Sequence, residues 1–214
     1  MKKSMLKIKL VAIMFLFHLL ASTSHASIII NINQVGGDIV ATGSGSINLT
    51  GLTLNGDGWS TGQFAPYWGR VAIGSTFARF DIYGAISGPT AFSPYNVLVN
   101  ADLASGNFFG VDGSSNSLFL PFGYTSGTQL SGTSTWQNTS LLNDLGINTG
   151  PSTYSWQWGS GANLDSFTVN FNSGGGGGGG AVATPEPGTM MLLGSGVLTF
   201  GLSRFRRRKP EVVA

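Results

Sequence analysis

Between Ser27 and Ser173, the side chains able to do acid–base chemistry near neutral pH are seven aspartates: Asp38, Asp57, Asp81, Asp102, Asp112, Asp144 and Asp165. Their counter-charges are Arg70 and Arg79, and the stretch holds no His, Cys, Lys or Glu. That excludes Ser-His-Asp and Cys-His nucleophilic catalysis, zinc held by His or Cys, Schiff-base chemistry and disulfides. Two chemistries are left for carboxylates alone. A pair flanking a glycosidic bond can hydrolyse it, and carboxylate and carbonyl oxygens can hold calcium, with Asn55 and Asp57 the nearest candidates. No spacing marks an acid–base pair. Most of the aspartates stand where turn residues stand, in Gly37-Asp38, Gly56-Asp57-Gly58, Asp112-Gly113 and Asn143-Asp144. The Asn55–Asp57 segment also lacks the spaced acidic ligands and distal Glu of an EF-hand. The expectation is therefore a non-enzyme with no catalytic residue, no metal and no cofactor; an Asp-only glycosidase is the remote alternative.

The aromatic residues offer a different chemistry. Tyr154, Trp156 and Trp158 alternate, so in a strand all three share one face. Such a row is either core, where each ring buries a large apolar area, or a platform on which sugar rings stack. Trp59, Tyr67 and Trp68 fall in a Gly- and Pro-containing stretch expected to be a loop, where a ring is either exposed or anchors the loop. Trp59, Trp68, Trp156 and Trp158 are thus the candidate sugar-stacking residues of a carbohydrate-binding module. Asn48-Leu-Thr50 and Asn138-Thr-Ser140 match the N-glycosylation pattern.

These residues must be positioned by strands. Short runs rich in β-branched and aromatic residues are punctuated by Gly, Asn, Asp and Ser, which predicts strands at Ser27–Asn33, Asp38–Thr42 and Ser46–Leu54. Others follow at Arg70–Thr76, Phe77–Ala85, Val97–Val99, Ser117–Leu120, Thr133–Asn138, Tyr154–Trp158 and Ser166–Phe171. Gly36-Gly37-Asp38 predicts a tight turn, and Thr139–Leu145 a short helix or helical turn before Gly146. No fixed repeat supports a β-helix. Nine or ten short strands predict an all-β, antiparallel β-sandwich or jelly-roll-like domain. Without disulfides it must be held by its core, which roughly 150 residues can supply.

The two ends read differently. Lys2, Lys3, Lys7 and Lys9 precede an apolar run from Leu10 to Leu20, then Ser24-His25-Ala26. That is the three-part pattern of a signal peptide cut by signal peptidase after Ala26, and its run is well short of the ~20 residues that span a bilayer. Beyond a run of seven glycines from Gly174 to Gly180, a flexible tether, come Pro185-Glu186-Pro187, an apolar stretch from Met190 to Leu202, and the basic cluster Arg204, Arg206, Arg207, Arg208 and Lys209. The cluster acts as a stop-transfer signal that leaves the preceding domain outside, and the prolines hold the motif extended ahead of a single membrane helix. The expected organisation is a signal peptide at 1–26, an exported domain at 27–173, a Gly-rich linker at 174–183, a sorting and anchor segment at 184–209 and a tail at 210–214.

In its order and composition this ending resembles the PEP-CTERM sorting signal. The resemblance implies that Pro185, Glu186 and Pro187 are presented to an exosortase, a membrane enzyme that cuts near the motif and passes the protein on to the cell surface or extracellular matrix. It also implies association with exopolysaccharide and biofilm. The stretch from Leu118 to Phe171 resembles a β-rich ectodomain recurrent among PEP-CTERM proteins, through Leu120-Pro121, Gly123-Tyr124, Leu130-Ser-Gly132, Tyr154-Ser-Trp156-Gln-Trp158-Gly-Ser-Gly161 and Asp165-Ser-Phe167. Ile39 to Thr53 resembles its start. That likeness implies an architecture without an activity.

The formal charge of +2 for the whole chain misdescribes the part that is exported. Nine of the eleven Lys and Arg residues lie in the two ends, and the domain between them is acidic. Nucleic acid is therefore not an expected partner.

Overall fold

Isoleucines at every second position make Ser27–Val35 (β1) a strand with one apolar face, and Ile28, Ile30 and Ile32 are fully buried. A two-residue turn follows, with Gly36 at φ +61°, and the chain returns as Asp38–Gly45 (β2), burying Ile39 and Ala41. The remaining strands are Thr53–Ser60 (β3), Gln63–Ala65 (β4), Arg70–Ile73 (β5), Ala78–Gly84 (β6), Val99–Asn100 (β7), Leu103–Gly106 (β8), Phe109–Asp112 (β9), Ser117–Pro121 (β10), Leu130–Trp136 (β11), Ser152–Trp158 (β12) and Asp165–Asn172 (β13). This computed structural model describes residues 26–148 and 152–172, within a compact unit spanning His25–Gly176. The expected signal helix, linker, sorting motif, basic cluster and membrane helix lie outside the described residues.

The strands form two sheets, one ordered β12-β13-β1-β2-β11-β8 and the other β3-β6-β10-β9-β5-β4-β7. The fold is all-β. Among the described residues every strand pairing is antiparallel except one: β1 runs parallel to β13, in register from Ser27↔Ser166 to Asn33↔Asn172. The first and last strands of the domain are therefore neighbours. The main core lies between the sheets and joins Ile30, Ile73, Phe109, Leu118, Trp136 and Phe171. Two glycines allow close approach within it. At Gly74, φ +75°, a Cβ would stand 1.8 Å from the Asn107 carbonyl oxygen, and at Gly45, φ +139°, 1.9 Å from that of Ser27.

Three expectations are corrected. Thirteen strands, in sheets of six and seven, stand where nine or ten were expected. Ser46–Leu52 is not a strand, because its amides find side chains instead of a ladder: Ile47 N–H donates to the Tyr124 hydroxyl at 2.9 Å, Asn48 N–H to Asp165 Oδ2 at 2.7 Å and Leu49 N–H to Ser126 Oγ at 3.0 Å. Ile47 is still fully buried. The expected loop around Trp59 is strand β3, while Trp68 ends a 3-10 turn at Pro66–Trp68. The helical turn before Gly146 forms, with Asp144 N–H donating to the Ser140 carbonyl at 3.1 Å and Gly146 N–H to that of Leu142 at 3.1 Å.

Tyr124 ties the 46–52 segment to the core. Its hydroxyl accepts from Ile47 N–H and donates to the Thr128 carbonyl at 2.6 Å. Burial pushes its pKa above the ordinary 10.0, the hydrogen bond with Ile47 opposes this, and the charge of Asp165 adds to the rise. Tyr83 is raised likewise, by burial and then by Asp81. Because the unfolded chain releases these protons first, stability present below pH 10 is lost as pH climbs past it. Melting followed from pH 8 to 11.5 should show a fall above pH 10 that is shallower in Tyr124→Phe, with Tyr83 supplying the remainder. An identical slope in the variant would remove Tyr124 from this role.

Candidate functional site

All seven aspartates have structural partners. Asp112, almost fully buried, receives Arg70 Nε at 2.7 Å and Nη2 more closely still, together with Ser114 Oγ at 2.8 Å and Ser115 N–H at 3.1 Å. Asp81 accepts Gly123 N–H at 2.8 Å, and Asp165 accepts Asn48 N–H. Asp38 accepts Asn138 N–H, Asp102 accepts Gln137 N–H and Asp144 accepts Ser140 N–H. Asp57 pairs with Arg79, Nε to Oδ2, at 2.9 Å. The carboxylates therefore cap turns and close ion pairs. Among the described residues no three His, Cys, Asp or Glu side chains gather as a metal site.

The four candidate tryptophans are not brought together. Trp156 and Trp158 are 0% and 4% exposed, which rules them out as a sugar platform. Trp156 Nε1 donates to the Pro89 carbonyl and Trp158 Nε1 to that of Asn48, both at 2.9 Å. Their alternation marks the inward face of β12, whose free edge is bridged at Ser87↔Gln157. Trp68 is half-buried under the Arg70 guanidinium, 5.0 Å from its ring centre. Only Trp59 stands open, 61% exposed.

Trp59 has neighbours that sequence reasoning missed. Its ring stacks on Phe77, 68% exposed, with centroids 5.5 Å apart and planes 19° apart. Across the β3–β6 pair it faces Arg79, whose guanidinium lies 3.7 Å from the centre of the exposed Phe122 ring. The β-turn that presents Phe122 is closed by Tyr124 N–H on the Pro121 carbonyl, with Gly123 at φ +71°. Had β3 been read as a strand, the i, i+2 spacing of Asp57 and Trp59 would have placed them on one face. Nothing local links them to Arg79 or Phe122.

A separate cleft of about 310 Å³ is lined by Phe92, Ser93, Pro94, Gly146, Ile147 and Tyr154, among others. Two of its hydroxyls are already engaged, Ser93 Oγ with the Leu145 carbonyl at 2.6 Å and the Tyr154 hydroxyl with that of Phe92 at 3.3 Å. Asn148 and Ser152 also line it.

Beyond the described residues, a family model described as the PEP-CTERM protein-sorting motif matches residues 183–208. The chain carries a PEP-CTERM motif. The match covers Pro185-Glu186-Pro187, the apolar stretch and Arg204 to Arg208, and leaves Lys209 outside. A PEP-CTERM motif implies an exported protein processed by an exosortase. No curated protein and no solved structure matched the chain.

Proposed function

We propose that this PEP-CTERM chain is a non-enzymatic surface or matrix protein that displays its β domain in association with extracellular polysaccharide. The sorting motif at 183–208 carries the reading. The stretch from Ser27 to Ser173 holds no His, Cys, Lys or Glu, and its aspartates cap turns or close ion pairs, Asp112 from an almost fully buried position, which supports a structural reading of these carboxylates. In this scheme signal peptidase cuts after Ala26, so that the new N-terminus is Ser27, the first residue of β1. The apolar segment holds the protein transiently in the membrane, with Arg204, Arg206, Arg207, Arg208 and Lys209 on the cytoplasmic side. Exosortase then cuts near Pro185-Glu186-Pro187 and the domain passes to the surface or matrix.

Intact mass of the protein recovered from cells with and without an exosortase tests this. The expected result is loss of the tail only when the exosortase is present, and retention when Pro185, Glu186 and Pro187 are all replaced by Ala. Residues 184–214 retained in every case would overturn the processing scheme.

A further inference from the structure

We infer that the β3–β6 end of the seven-stranded sheet is a binding site for neutral polysaccharide, with Trp59 as its central ring. The inference rests on the matrix-association reading above and gives it a site. The starting point is the sheet's geometry. Register pairs Trp59 with Arg79 and Asp57 with Asp81, so these four share the face of β6 that also carries Tyr83. Tyr83 belongs to the main core. Asp81 is buried under the Gly123 turn, while Arg79, Asp57 and Trp59 are exposed. The core-facing side of this sheet thus continues past its cover as an open strip of rings, running Phe77, Trp59, Arg79 and Phe122. Three rings that are each more than half exposed, gathered within one such strip, form a patch of the kind monomeric proteins normally cover.

The chemistry of the strip fits a sugar chain. Pyranose rings offer an apolar C–H face to an aromatic ring and hydroxyls around the rim. Trp59 and Phe77 supply the flat surface. Arg79 and Asp57 supply the rim contacts: among the described residues their side-chain hydrogen bonding is the single Nε to Oδ2 link, leaving both guanidinium Nη groups and one carboxylate oxygen for hydroxyls. A fixed donor beside a fixed acceptor suits a ligand whose groups both donate and accept. The acidic surroundings, seven Asp against two Arg in the domain, disfavour a polyanion.

A second copy of the chain is the rival occupant, because β3 is an edge strand. Its details oppose that. The register breaks at a bulge between Leu54 and Gly56, and antiparallel pairing of two β3 strands about their centre would bring their Asp57 side chains close together. Bulges and charges of this kind are how edges resist self-pairing.

The test uses the full chain in a non-sugar detergent, with cellohexaose, laminarihexaose and mannohexaose as neutral probes and alginate as the anionic one. Tryptophan emission and calorimetry should show binding of at least one neutral probe and none of alginate. Trp59→Ala should weaken binding roughly tenfold or more, as removal of a central ring does. Phe77→Ala should weaken it less, Trp59→Phe should retain part of it, and Tyr67→Ala, an exposed ring elsewhere, should change nothing. Unchanged melting of Trp59→Ala separates lost contact from lost fold. No neutral probe bound at millimolar concentration, equal binding by Trp59→Ala, or a self-association that Trp59→Ala abolishes would each overturn the site. Retention of the wild type on polysaccharide prepared from its own cells tests the broader reading separately. If wild type and Trp59→Ala are retained equally, the site fails and the broader reading survives; if neither is retained while cellohexaose still binds, the reverse holds.

Discussion

Asp112→Ala should lower the unfolding free energy by about 3 kcal/mol, near the bottom of the range for breaking a buried ion pair. Asp112 is 1% exposed and faces Arg70 across the β5–β9 register. Removing the carboxylate leaves the guanidinium between the rings of Trp68 and Phe119, 5.0 and 5.6 Å from their centres, with its counter-charge gone. Cation–π attraction returns only part of that loss. The Ser114 hydroxyl and the Ser115 amide lose an acceptor at the same time. About a quarter of the Arg70 side chain reaches solvent, which keeps the cost at the lower end. The double variant Arg70→Met/Asp112→Leu should lose much less than Asp112→Ala alone, because no unpaired charge is left behind. Urea unfolding followed by tryptophan emission measures both, and the cycle isolates the pair. A loss below about 1 kcal/mol for Asp112→Ala would mean that the pair behaves as a surface contact.

Trp156→Ala should cost about 3–5 kcal/mol, the range for deleting a large buried aromatic side chain. The indole is fully buried, edge-on to Phe92 and Phe167 at 5.9 and 6.4 Å. Its N–H holds the Pro89 carbonyl, and a Cβ at Gly88 would meet its ring at 2.5 Å. One ring therefore supports both the inter-sheet core and the 86–89 segment that bridges the edge of β12. The variant should unfold at much lower urea and show faster amide exchange in β12. Trp59→Ala, on an exposed strand, should shift stability by no more than about 0.5 kcal/mol. The two substitutions thus separate a fold tryptophan from a surface one. Equal losses would contradict the burial on which the assignment rests.

The strands most plainly legible in the sequence are those whose side chains alternate cleanly, while β5 and β10 were legible as short apolar runs buried nearly throughout. Ile28, Ile30 and Ile32 announce β1, and Phe167, Val169 and Phe171 announce β13. β3 was hidden by its own composition: Gly56, Asp57 and Gly58 disfavour strands and no residue in it is buried, so its pairing with β6 has no local signature. Gly110 in β9 shows the same limit. A Cβ there would lie 2.4 Å from the Val71 carbonyl, a requirement that exists only once β5 lies alongside. In the opposite direction, Ile47 and Leu49 looked like a strand's inward residues, yet their amides are taken by Tyr124 and Ser126, 77 residues away. The aspartates suggested turns, and several do cap them. The depth of Asp112 depends on a partner 42 residues distant and could not be read. For the candidate site, Trp59 was visible and the company it keeps was not.

The parallel pairing of β1 with β13 makes the six-stranded sheet depend on the two ends of this domain meeting. β1 is the first strand of the described residues, and its final place is between β2 and β13. Until β13 follows, one side of β1 is a row of unmatched N–H and C=O groups open to any passing strand, and closing so long a span of chain is slow. A folding chain therefore holds an unfinished edge until its last strand is made, and that interval is when the β1 edge is most open to mispairing.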